Sequence, residues 1–169
     1  KNVGDIINNY SESDLAEIIF KFGEERFSRK IARNIVRARK VKLISSTTEL
    51  ANLVNKSINV KNKKNKINPA TKTFQALRIY INDELNELTL GLNKSLDLLS
   101  KNGKLIIVSF QSLEDRIVKD FLHYNSGKRW RSSRHYPELV EDGPITLSLI
   151  TKKPIRPSEL EIRNNPRSR

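Results

Sequence analysis

The chain has 169 residues, of which 37% are hydrophobic and 30% charged, a balance that predicts a globular protein able to bury its own core. It has no cysteine, two histidines and no apolar stretch of about 18 residues, so disulfides, thiolate chemistry, a histidine-based metal site and a membrane helix are not expected. The formal net charge of +13 indicates a polyanionic partner, although lysine-rich coding bias accounts for part of the excess.

Three amphipathic helices are predicted in the first third of the chain. Ser11 caps the first helix, with Asp14 in the capping-box position, and Gly23 suits its end. The second should run from about residue 24 to 42. Ser46 with Glu49 opens the third, through about residue 55. Residues 62–68 are polar, basic and aperiodic, which predicts a loop.

The second of these helices has one apolar and one strongly basic face. Phe27, Ile31, Ile35 and Ala38 form the apolar stripe. The adjoining stripe is cationic and consists of Arg26, Arg29, Lys30, Arg33, Arg37 and Lys40. It is a candidate surface for phosphate groups, and the alternative is a solvated basic face.

The second half of the chain is predicted as helix, strand, helix and strand, at residues 73–99, 105–110, 113–124 and 145–151. The first helix has apolar residues every three or four positions and a bend is expected near Asn82; a coiled coil is the alternative. The run from Leu105 to Phe110 is apolar on both faces, as in the central strand of a parallel sheet. Pro154 and Pro157 predict an extended tail.

This order of elements predicts an α/β fold class with two regions. Residues 1–67 form a basic helical domain, and residues 68–169 form part of a larger α/β domain. Two strands alone do not make a stable sheet of this kind, so the sheet is expected to be completed elsewhere.

Four phrases are more specific than packing requires. They are FGEERF at residues 22–27, NPATKTFQALRI at 68–79, SFQSLEDRIVK at 109–119 and NPRSR at 165–169. In this order they resemble the bacterial 16S rRNA cytosine-N4 methyltransferase family of the MraW type. The resemblance implies the C-terminal half of a class I, Rossmann-like methyltransferase with an inserted helical domain that recognises RNA.

The resemblance also implies S-adenosylmethionine as the methyl donor, 16S rRNA in the small ribosomal subunit as the substrate, and a cytoplasmic location. The family's glycine-rich donor loop precedes the helical insertion, and this chain, which begins at Lys1, has no Gly-x-Gly turn. We therefore expect a fragment of a longer enzyme that does not contain the donor site. No metal is expected, and a homodimer is left open.

The junction between the predicted strand and helix at residues 105–124 is the candidate cytosine pocket. Its six polar residues are Ser109, Gln111, Ser112, Glu114, Asp115 and Arg116. Such groups could orient a base and accept hydrogen bonds from its amine; the alternative is a capped helix start with a surface ion pair. The family usually has histidine where this chain has Gln111 and Asn68, and amides cannot exchange a proton near neutral pH.

Further RNA contacts are expected from Thr71, Lys72 and Arg78, for which the alternative is helix capping with a solvated arginine. The segment from Lys128 to Arg131 surrounds a tryptophan with cations, which suits base stacking or an anchored loop. Two rival functions remain. The chain could be a non-catalytic RNA-binding module, or a helical interaction protein that uses the stripe from Phe74 to Leu99.

Overall fold

The structure is a computed structural model that describes residues 2–58, 68–127, 145–151 and 153–168. Secondary structure in these residues is helical. The helices are α1 (Val3–Asn9), α2 (Glu12–Gly23), α3 (Ser28–Val41), α4 (Thr47–Ile58), α5 (Thr71–Asn82), α6 (Glu84–Leu98), α7 (Ser112–Asn125) and α8 (Glu159–Asn164). The chain divides into two compact units, Lys1–Gly91 and Leu92–Arg169.

Side chains at the N-terminal ends of the helices explain where several of them begin. Ser11 Oγ accepts a hydrogen bond from the backbone N–H of Asp14 at 3.1 Å, which confirms the predicted cap of α2. Ser46 accepts from Glu49 N–H in the same way at the start of α4. A capping box between Asn2 and Asp5 opens α1, a helix that the sequence prediction missed.

The core of the first unit lies between α2, α3, α4 and α5, with α1 packed against α3 and α5. Most of its fully buried side chains are aliphatic, and the polar Ser57 and Thr73 are also 0% exposed. The aliphatic residues Ile6, Ile7, Leu15, Ile19, Ile31, Ile35, Val54 and Leu77 are each 2% exposed or less. Burial of one such side chain stabilises a fold by about 1.5–3 kcal/mol, before entropy is counted. The predicted apolar stripe of α3 is therefore confirmed as a core face at Ile31 and Ile35.

Polar contacts fix the ends of the helices around this core. The side-chain amide of Asn8 donates to the carbonyl of Ile44 and accepts from its N–H, both at 3.0 Å. The Arg39 guanidinium donates to the carbonyls of Ile7 and Tyr10 at 2.7 and 2.5 Å. These carbonyls lie at the C-terminal end of α1, where backbone acceptors lack helical partners.

The helix predicted over residues 73–99 is broken at Asp83, which has φ of 51° in the left-handed region. The predicted bend near Asn82 is thus confirmed as an interruption between α5 and α6. Arg78 spans it, since its Nε and second terminal nitrogen donate to the two carboxylate oxygens of Glu84 at 2.8 and 3.1 Å.

The second unit contains the end of α6, with α7 and α8. Asn125 is 4% exposed and joins the end of α7 to the chain at residues 146–147. Its carbonyl accepts from the N–H groups of Thr146 and Leu147 at 2.9 and 3.0 Å. One isolated antiparallel bridge pairs Ser126 with Ile145.

The predicted α/β fold is wrong for the residues that the structure describes. Residues 105–110 are extended but form no β-ladder, and alternate side chains project into solvent: Ile106, Val108 and Phe110 are 83%, 74% and 85% exposed. The predicted strand at 145–151 is reduced to the Ile145 bridge. A strand needs a neighbour to satisfy its N–H and C=O groups, and these runs have no such neighbour within the described parts of the chain.

Two further predictions concern the C-terminal tail and the boundary between the two regions. The expected tail contains α8, which Ser158 caps by accepting from Glu161 N–H at 3.2 Å. The division between residues 67 and 68, drawn on the order of predicted elements, stays a prediction; the helices on either side of it, α4 and α5, both belong to the first unit. No helix in the described residues has the length and apolar character needed to cross a membrane.

Candidate functional site

The candidate cytosine pocket lies in the second unit, where the extended segment meets α7. Gln111 is the N-cap residue of α7, and its side-chain nitrogen donates to one carboxylate oxygen of Glu114 at 2.7 Å. The other oxygen accepts from the backbone N–H of Phe110 at 3.1 Å. Glu114 therefore holds both the backbone and the Gln111 amide at this junction.

The remaining pocket residues differ in exposure and role. Asp115 forms an ion pair with Lys119 at 2.5 Å, one helical turn further along. Acidic Glu114 and Asp115 also lie in the first turn of α7, where they interact favourably with the helix dipole. Ser109 is half-buried, whereas Ser112 and Arg116 are exposed. The structure thus brings Gln111 and Glu114 together. It also contains the helix start and the surface ion pair that the alternative interpretation expects.

The predicted RNA-binding residues lie in the first unit, and three of them line a groove between α2 and α3. Arg26, Arg29 and Arg33 share this groove, whose volume is about 870 Å³. Lys30 and Arg37 are exposed on α3 but are not among the groove residues. The cations of the predicted basic face are therefore exposed, and three of them form one wall of the groove.

The other side of this groove carries acidic residues and an aromatic ring. Glu12, Glu17 and Phe20 project into it from α2. Arg33 Nε lies 3.5 Å from the carboxylate of Glu12, which pairs one cation with one acid. The Arg26 guanidinium stacks 4.7 Å from the centre of the Phe27 ring, an arrangement that restrains its side chain.

Three of the predicted RNA-binding residues, Thr71, Lys72 and Arg78, lie on α5. Lys72 Nζ donates to the Glu24 carbonyl at 3.1 Å, at the C-terminal end of α2. Arg78 is paired with Glu84 as described above. Thr71 is exposed at the first position of α5. Neither contact matches the alternative of helix capping with a solvated arginine, because α5 has no side-chain cap at its start and Arg78 is ion-paired.

Phe20 and Ser28 are among the groove residues that the sequence reasoning missed. Phe20 is 63% exposed, and the signal was an aromatic residue outside the apolar stripe of α2. Ser28 lines the groove as the first residue of α3, and only the relative positions of α2 and α3 identify it. The predicted segment from Lys128 to Arg131 and residues 62–67 of the predicted loop lie outside the described residues.

Within the described residues, no group of three or more histidine, cysteine, aspartate or glutamate side chains could hold a metal ion. The candidate site residues carry amide, hydroxyl and carboxylate groups in the second unit and guanidinium groups in the first.

Comparison with known proteins identifies the family. The model of the MraW methylase family matches residues 1–169. The chain belongs to the MraW methylase family. One relative, the ribosomal RNA small subunit methyltransferase H of Orientia tsutsugamushi strain Ikeda, is 49% identical over 170 residues. Proteins of the same name from Paramagnetospirillum magneticum and Nitrobacter winogradskyi are 47% and 48% identical over 169 and 165 residues.

These alignments cover nearly all of this MraW-family chain but only half of each relative. They span 98%, 99% and 98% of the chain against 54%, 52% and 48% of the three relatives. The chain therefore spans about half the length of the curated relatives it matches. The predicted membership of the MraW family is confirmed over the whole chain.

The described residues do not fit a nucleotide-like methyl donor of the kind such methylases use. Donor loops need glycines where backbone amides approach the ligand. Here Gly23 packs against the carbonyl of Lys72, and Gly91 lies inside α6. Gly103 lies after α6 and Gly127 after α7, and neither has another glycine beside it.

Proposed function

We propose that the whole protein transfers a methyl group from S-adenosylmethionine to the N4 amine of a cytidine in small-subunit rRNA. The observation that carries the proposal is the match of residues 1–169 to the MraW methylase family, together with the name that its relatives share. The activity would belong to the cytoplasm, where the small ribosomal subunit is assembled.

The first unit would bind the rRNA. Arg29, Arg33 and Arg37 are exposed on one helix, and guanidinium groups bind phosphate oxygens by paired hydrogen bonds. Each phosphate that they neutralise releases counterions, which strengthens binding at low salt. Catalysis on a base also requires that the base leave its stack, so the protein must bind the RNA that surrounds this base.

The start of α7 would orient the cytosine. The amine of cytosine is a weak nucleophile because its lone pair is conjugated with the ring, so the protein must hold it by accepting hydrogen bonds from its N–H groups. The Gln111 carboxamide supplies an acceptor oxygen, and its orientation is set by the 2.7 Å bond from its nitrogen to Glu114. Ser109 lies two residues before it on the extended segment.

The test is methyl transfer by the purified whole protein to small ribosomal subunits, with a donor labelled in its methyl group. Digestion of the rRNA to nucleosides should place the label on N4-methylcytidine. Replacement of Glu114 by alanine should lower the rate about 10- to 100-fold, because the Gln111 amide loses its support and the base its orientation. Asp120→Ala, an exposed acid on the same helix, is the matched control. Label on another nucleoside, or no transfer, would contradict the proposal.

The rival is an RNA-binding module without catalysis, which the basic groove of the first unit supports. Tight, salt-dependent rRNA binding by the whole protein without methyl transfer under any donor concentration would favour that function.

A further inference from the structure

The groove between α2 and α3 has two chemically different ends. Only residues 24–27 join these helices, so the last turn of α2 and the first turn of α3 lie at the same end of the pair. Phe20, Arg26, Ser28 and Arg29 belong to that end. The ion pair between Glu12 and Arg33 connects the first turn of α2 to the middle of α3 and marks the opposite end.

The first turn of α3 carries cations and no acid of its own, while the buried carboxylate of Glu25 lies just before it and accepts from the Phe27 N–H at 2.9 Å. The N-cap residue of α3, Phe27, makes no side-chain cap. Arg29 and Lys30 occupy this turn, at the positive end of the helix dipole. Cations at this position destabilise a helix, whereas an anion is attracted by both the dipole and the arginines.

The Ser28 hydroxyl gives an independent indication of a ligand. Ser28 is 4% exposed, yet its side chain lines the groove. It has no hydrogen-bond partner within the described part of the chain. Its oxygen is not among the fully enclosed polar atoms that lack a partner, so it opens to the groove, where the hydroxyl can donate to a ligand oxygen.

Phe20 adds a surface for a flat ligand at the same end. A phenylalanine ring that is 63% exposed beside arginines is the usual combination for stacking an unpaired base. We propose that this end of the groove binds one nucleotide of single-stranded RNA. Its phosphate contacts Ser28, Arg26 and Arg29, and its base stacks on Phe20. This inference rests on the proposed function and names the RNA contact that the first unit makes.

The acidic residues limit what else the groove can bind. Glu12 is paired with Arg33, so Glu17 is the acid that faces Arg26 and Arg29 across the groove. A second phosphate near Glu17 would be repelled, as would the carboxylates of an acidic peptide laid along the groove. An amino group on a base stacked over Phe20 could instead donate a hydrogen bond to the Glu17 carboxylate. The groove therefore suits one phosphate and one base.

The experiment measures the affinity of the whole protein for small-subunit rRNA as a function of salt. The variants are Phe20→Leu and Arg29→Gln, both at exposed positions, and Lys56→Gln is the control, an exposed cation on α4. Phe20→Leu should weaken binding about fivefold or more, and Phe20→Tyr should restore it. Arg29→Gln should reduce the slope of log affinity against log salt by about 0.7, the value for one single-strand phosphate contact. Lys56→Gln should leave affinity and slope unchanged.

The outcomes separate the groove assignment from the proposed function. If the wild type methylates rRNA but Phe20→Leu and Arg29→Gln bind as the control does, the groove assignment is wrong and the proposed function stands. If these variants lose affinity as expected while no form of the protein methylates rRNA, the groove assignment stands and the proposed function fails. Absence of rRNA binding by the wild type would overturn both.

Discussion

At the scale of single residues, Gly23 and Gly91 are glycines with opposite surroundings. A Cβ added at Gly23 would lie 2.6 Å from the carbonyl oxygen of Lys72 and 3.2 Å from the Cβ of Ala76. Nothing lies within 4 Å of a Cβ added at Gly91, in the interior of α6. The first glycine allows α2 to approach α5, and the second only lowers the stability of its helix.

Alanine at these two positions should therefore have effects of opposite sign. Gly23→Ala should lower the free energy of unfolding by about 1–3 kcal/mol, because the two helices must move apart. Gly91→Ala should raise it by about 0.5–1 kcal/mol through helix propensity. Urea unfolding of the two variants and the wild type tests this; an equal loss of stability at both positions would contradict the packing of α2 on α5.

The pair of Tyr10 and Tyr80 predicts a dependence of stability on pH. Their hydroxyl oxygens are 3.4 Å apart and their rings meet edge to face. The hydrogen bond to Tyr10, and then burial, raises the pKa of Tyr80 above its ordinary value of 10.0. The folded chain thus holds this proton more tightly than the unfolded chain. The resulting stabilisation is complete below pH 10 and is lost as the pH rises through the raised pKa.

Removal of this hydroxyl gives the test. Above pH 10, the unfolding free energy of the wild type should fall more steeply with pH than that of Tyr80→Phe. Denaturant unfolding at a series of alkaline pH values measures both curves. Parallel curves for the two proteins would show that Tyr80 is not responsible.

At the scale of secondary-structure elements, the helix predictions succeeded because their signals are local. The apolar spacing of α2, α3 and α7 and the caps at Ser11 and Ser46 are properties of neighbouring residues. The strand at residues 105–110 failed for the opposite reason. Its apolar run satisfied the local pattern, but a β-ladder depends on partner strands distant in the sequence, which a local pattern cannot establish.

The same distinction explains which part of the candidate site could be predicted. The cations of α3 and the polar residues before α7 follow from residue type and spacing. The groove does not, because the contributions of Phe20 and Ser28 depend on how α2 and α3 are rotated against each other. The structural partners of Lys72 and Arg78 likewise depend on tertiary contacts.

The break between α5 and α6 gives a prediction at this scale. Glu84 accepts from Arg78 and also from the Asn82 side chain at 3.2 Å, so its replacement should loosen the junction. Glu84→Gln should cost about 0.2–1 kcal/mol, since Arg78 is largely exposed. Glu87→Gln removes another acid from the first turn of α6 and controls for the helix dipole.

Urea unfolding at low and high salt separates these effects. The stability difference between Glu84→Gln and Glu87→Gln should be present at low salt and should shrink at high salt, because salt screens an exposed ion pair. Equal stabilities of the two variants at low salt would show that the Arg78 contact does not hold the junction.

At the scale of the whole molecule, the net charge of +13 is organised rather than evenly spread. Cations of α3 line a groove in the first unit, while the polar residues proposed to orient the cytosine lie at the start of α7 in the second. The proposed RNA-binding and base-orienting residues thus lie in different parts of the chain. Variants in the groove should change rRNA affinity, and variants around Glu114 should change the rate of transfer.

We propose that the whole protein methylates the N4 amine of a cytidine in small-subunit rRNA. The most direct measurement is mass spectrometry of that rRNA from the parent cell and from the same cell without this gene. One cytidine-containing fragment should be a methyl group lighter in the deletion strain, and return of the gene should restore the methyl group. Identical rRNA from both strains would contradict the claim.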